Sequence, residues 1–78
     1  MLREHDAAVL LCDLPKLGLK RGDLGTVVLV HSEGGYEVEF MTLAGETVAV
    51  TSLSSSDVRP IAGREIANAR SIEANSPR

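Results

Sequence analysis

Aromatic and cysteine side chains are nearly missing from this sequence, which has no tryptophan, one tyrosine, one phenylalanine and one cysteine. The lone Cys12 excludes an internal disulfide and leaves no second thiol for a metal site, which suits a reducing compartment. With so few rings there is little on which single-stranded bases could stack. Excess positive charge is absent too, since a formal net charge of −3 repels a polyphosphate partner taken as a whole. His5 and His31 stand far from each other and from Cys12, without the close spacings that favour chelation. No metal and no other cofactor is expected. No apolar run nears the roughly 20 residues that a membrane-spanning helix needs. Met1 to Asp6 mixes charges and shows no secretory cleavage pattern, so a soluble cytoplasmic protein is the expectation.

What is there reads as one small globular domain of 78 residues, 44% apolar and 24% charged. A domain this short buries only about 60% of the surface its unfolded chain exposes, so cover from a partner would help it. Ala7 to Cys12 is an apolar run of strand length. Asp13 to Gly25 carries Pro15, Gly18, Gly22 and Gly25, the chemistry of a long arched loop. Thr26 to His31 is rich in β-branched residues, Ser32 to Gly35 is a turn, and Tyr36 to Phe40 alternates with period two, which makes a hairpin. Further strands are expected at Thr47 to Thr51 and Val58 to Ile61, separated by the serine cluster Ser54 to Asp57, where a single helical turn would fit. Short strands joined by glycine-rich turns predict an all-β fold, a small Src-homology-3-like antiparallel barrel of about five strands. The barrel is expected within residues 1–62. Residues 63–78 form a C-terminal tail or a short helix over Arg64 to Ala74, which Asn75 to Arg78 would end.

The order Leu2-Arg3-Glu4-His5-Asp6, Gly18 to Val28 and Tyr36 to Phe40, followed by Thr42 to Val50 and Val58-Arg59-Pro60-Ile61, resembles the domain-of-unknown-function 4926 family of small bacterial proteins. The likeness covers residues 2–61. It implies a small barrel and carries over no catalytic or ligand residue.

Chemistry-bearing residues are sparse, and each has a plain alternative. Cys12 with His5 supplies a nucleophile and a base, but an activated thiolate needs a positive, open setting and Cys12 ends an apolar strand. Ser54 to Asp57 with His31 holds the residue types of a hydrolase triad without a nucleophile elbow, so local capping is the better account. Arg21-Gly22-Asp23 is a chance tripeptide in a glycine turn. Lys16, Lys20 and Arg21 gather on one loop as a candidate anion patch, and through it a nucleic-acid-binding barrel is the alternative function; pairing with Asp13 or Asp23 is the preferred reading.

The hairpin is more informative. Tyr36, Val38 and Phe40 alternate with outward Glu37 and Glu39, whereas the strand before them is apolar on both faces. A five-residue turn lets Tyr36 oppose Val30 and Val38 oppose Val28, which puts Val28 and Val30 inside and Val27 and Leu29 outside near the glutamates; a four-residue turn exchanges the pairs. Either way an apolar pair faces out, and the first strand repeats the pattern. Something should cover these rows, either the tail through Ile66 and Ile72 or another chain. Val27, Leu29, Glu37 and Glu39 are therefore the candidate interaction face of a non-enzymatic module that binds a protein partner or a second copy of itself.

Overall fold

The computed structural model describes residues 1–72. Five antiparallel strands form one sheet: β1 (Ala7–Leu10), β2 (Leu24–Val30), β3 (Tyr36–Met41), β4 (Thr47–Leu53) and β5 (Val58–Pro60), ordered β4-β3-β2-β1-β5. The fold is all-β, as expected, and this strand order is that of a Src-homology-3-like meander. β4 and β5 remain its two unpaired edges, so the sheet is not closed.

Local chemistry places each element. β1 ends at Leu10, short of Cys12, yet the ladder runs on through Leu11 N–H to the Asp57 carbonyl at 2.7 Å. The long loop holds one 3-10 turn, Pro15–Leu17, with Pro15 at its start and Gly18 closing it in the left-handed region at φ 74°. Ser54 to Asp57 is a turn. Asp57 accepts the Ser54 N–H at 2.9 Å and the Ser54 hydroxyl at 3.0 Å, the side-chain capping expected of such a cluster.

The core is the inner face of the sheet. Ala8, Leu10, Val27, Val38, Phe40, Leu53 and Val58 are buried there, joined by Leu2 and by Leu19 from the long loop. Gly25 stands opposite Ala8, and a Cβ on it would lie 2.6 Å from Val38 Cγ1 and 2.8 Å from Phe40 Cε1. Only glycine lets β2 approach the core so closely.

The β2–β3 register corrects one expectation. Tyr36 does oppose Val30 across a five-residue turn, but Val38 opposes Val27, and Leu29 opposes Glu37. Val28 is the extra residue of a β-bulge, which shifts the faces along β2. Val27 is accordingly fully buried rather than outside, while Val28 and Val30, expected in the core, are each 39% exposed.

The tail also differs from the helical reading. Residues 61–72 contain no helix or strand and run as a strap over the sheet. Val9 pairs with Leu24 and Arg59 on the outer side, and the strap from Ile61 to Asn68 joins these residues in lining one cleft. Val9 is thereby buried. Ile66 lines this cleft while staying 91% exposed, and Ile72 is half-buried against Gly18 of the long loop rather than over the outer rows. The helix stop at Asn75 to Arg78 lies outside the described residues. No helix among the described residues is long and apolar enough to cross a membrane.

Candidate interaction face

Two cross-strand rows make the outer face of β2, β3 and β4. One is Thr26–Glu39–Val50 and the other Leu29–Glu37–Ser52, so the apolar Leu29 and Val50 flank the two glutamates diagonally. Their exposures are 45% and 53%, and neither of these two large aliphatic side chains lines the clefts that the tail forms with the sheet. The bulge residue Val28 is exposed beside Leu29, whereas Val30, opposite the buried Tyr36, belongs to the open end of the inner face.

Both carboxylates are already held. Glu37 lies 2.8 Å from His31 Nε2 and accepts the Ser52 hydroxyl, and Glu39 accepts the Thr47 hydroxyl at 2.6 Å. The hydrogen bonds from Ser52 and from His31 outweigh the opposing effect of burial and hold the Glu37 carboxyl below its ordinary value. This face combines aliphatic area with acidic groups whose bonding is partly satisfied within the chain.

Of the residues expected here, Leu29, Glu37 and Glu39 come together and Val27 drops out, because the bulge turns it inward. Val50 joins them. Its strand alternates weakly in sequence, and only the pairing of Glu39 with Val50 shows which face it takes.

Lys16, Lys20 and Arg21 are exposed on the long loop, and among the described residues none of the three forms an ion pair. The acids expected to pair with them bind backbone instead: Asp13 accepts the Arg21 N–H at 2.9 Å and Asp23 the Lys20 N–H at 2.8 Å. Asp23 also takes Arg70 of the tail, at 2.6 and 2.8 Å. That partnership joins residues 47 apart, and no local spacing in the sequence signals it.

The enzyme-like groups are dispersed. Cys12 Sγ lies 3.9 Å from Asp57 Oδ1 and so faces a carboxylate rather than a cation. His31 is engaged with Glu37, and Ser54 with Asp57 and Ser56. Among the described residues no three His, Cys, Asp or Glu side chains gather as a metal would require.

A family model described as Domain of unknown function (DUF4926) matches residues 4–60, which spans all five strands. No curated protein and no solved structure matches the chain.

Proposed function

The chain belongs to the DUF4926 family, and from that premise we propose that it is a non-enzymatic interaction module whose outer face on β2, β3 and β4 pairs with a second copy of the chain. The observation that carries this reading is the exposure of Leu29 and Val50 beside glutamates that already have partners. Removing apolar surface from water is favourable by about 25 cal/mol per Å². Burying a carboxylate beside it is costly unless hydrogen bonds come with it, and Ser52, His31 and Thr47 supply them. The tail covers the neighbouring Val9 but leaves this strip open, so a second chain is the remaining source of cover. The single cysteine suits a cytoplasmic setting for the pair.

Nucleic-acid binding at Lys16, Lys20 and Arg21 is the second reading, favoured by their freedom from ion pairs among the described residues. It weighs less, because Asp13 and Asp23 share the loop and both Tyr36 and Phe40 are buried in the core.

Amide spectra recorded over a concentration series test the proposal. Resonances on β2, β3 and β4 should move with concentration while those of the long loop stay still. Spectra that do not change with concentration would contradict the pairing.

A further inference from the structure

A second surface lies at the other side of the long loop, and its chemistry is independent of the outer face. Arg70 donates from Nε to Asp23 Oδ1 at 2.8 Å, and from Nη2 to Asp23 Oδ2 at 2.6 Å and to the Gly18 carbonyl at 3.0 Å. Two residues on, Ile72 Cδ1 packs 3.9 Å from where a Cβ on Gly18 would stand. Between this segment and the sheet lies an open cleft of about 490 Å³, walled by Leu19, Leu24, Phe40 and Met41 on one side and by Ala67 to Arg70 on the other. The carboxylate is oriented before any guanidinium arrives, because the Lys20 N–H holds Asp23 Oδ2 at 2.8 Å. A bidentate arginine–carboxylate pair beside a backbone acceptor is a specific recognition geometry.

The segment seated there is weakly attached. Among the described residues no backbone hydrogen bond ties 61–72 to the sheet, and it is held by side chains alone, with Arg59–Glu65 at 2.9 Å as the other ion pair. The receiving residues Gly18, Asp23 and Phe40 lie inside the stretch matched by the family model, whereas the tail lies beyond it. The receiving site at Gly18 and Asp23 therefore belongs to the domain and the segment seated on it does not.

We propose that the site formed by Asp23 and Gly18 on the long loop docks an extended protein segment presenting an arginine followed two residues later by an aliphatic side chain, and that the tail occupies it in cis until such a segment displaces it. Arginine enters between Asp23 and the Gly18 carbonyl. The aliphatic group lies against Gly18, where any Cβ would also meet a strained backbone at φ 74°.

A fluorescently labelled peptide copying residues 64–72, titrated against the full chain, tests this. Freed of its own competitor, the Arg70→Glu chain should bind the peptide about tenfold more tightly than wild type, as expected when a binding-competent state is otherwise a minor population. Arg70→Ala, which adds no charge, should give the same ranking. Adding Asp23→Asn, or replacing the peptide's arginine by alanine, should abolish the gain. Binding no tighter to either Arg70 variant, with both folded by circular dichroism, overturns the proposal. So does tight binding that ignores Asp23→Asn. The outer-face pairing is read by concentration dependence without peptide, so the two proposals fail separately.

Discussion

Val27 stands directly opposite Val38, and the next paired residue of β2 is Leu29, which opposes Glu37. The bulge between them decides which substitutions the sheet tolerates. Val27→Glu places an unpaired carboxylate in a fully buried position and should abolish cooperative unfolding. Val28→Glu should leave the circular dichroism spectrum unchanged, since the bulge residue is part-exposed. Val27→Ala, a milder probe, should cost roughly 2 kcal/mol in a denaturant titration.

Gly25 supplies a second, steric test. A methyl group there would press on Val38 and Phe40 and come within 3.0 Å of the Glu39 carbonyl, so the strand or its neighbours must move. Gly25→Ala should destabilise the domain by about 1 to 3 kcal/mol, as overpacking does. An unchanged denaturation midpoint would show that β2 sits further from the core than described.

Strand positions were legible in the sequence because Tyr36 to Phe40 alternates cleanly and glycine or serine clusters bound the other runs. The bulge was not. Val27, Val28, Leu29 and Val30 are all apolar, so no period marks which of them turns inward, and the turn length alone cannot reveal an inserted residue. Of the two readings of the tail, the helical one is not met over residues 64–72, for a related reason. Ile66, Ala69 and Ile72 have helical spacing, but Arg70 finds its partner in Asp23 and the chain is drawn out over the loop. Local propensity carries no record of such a distant contact. Glu37 and Glu39 were placed correctly because their alternation with core residues needs only the strand itself.

Acid should loosen the strap. Burial raises the Asp23 carboxyl, but the Arg70 hydrogen bonds, the Lys20 N–H and the charges of Arg70 and Lys20 together hold it below its ordinary 3.8. The folded state therefore binds this proton less readily than the unfolded one. Its stabilisation is present above that ordinary value and is lost as pH falls through the lower folded value. Wild type should melt slightly above Arg70→Ala at neutral pH, and the gap should close in strong acid. Molar salt should narrow it too. A gap that widens on acidification would contradict the role given to Asp23.

The exposed loop should not bind nucleic acid appreciably. Three basic side chains offer few phosphate contacts against a net charge of −3. Fluorescence anisotropy with mixed oligonucleotides at physiological salt should show no saturable binding. Micromolar binding that disappears on replacing Lys20 and Arg21 with Glu would establish the loop as the functional site.

Light-scattering mass across the micromolar range, measured on wild type beside Leu29→Glu, tests pairing through the outer face most directly. Wild type should rise from the mass of one chain toward that of two. Leu29→Glu adds a third carboxylate beside Glu37 and Glu39, so it should stay at one chain with an unchanged circular dichroism spectrum. A wild-type mass fixed at one chain throughout, or a Leu29→Glu chain that still dimerises, would contradict the account.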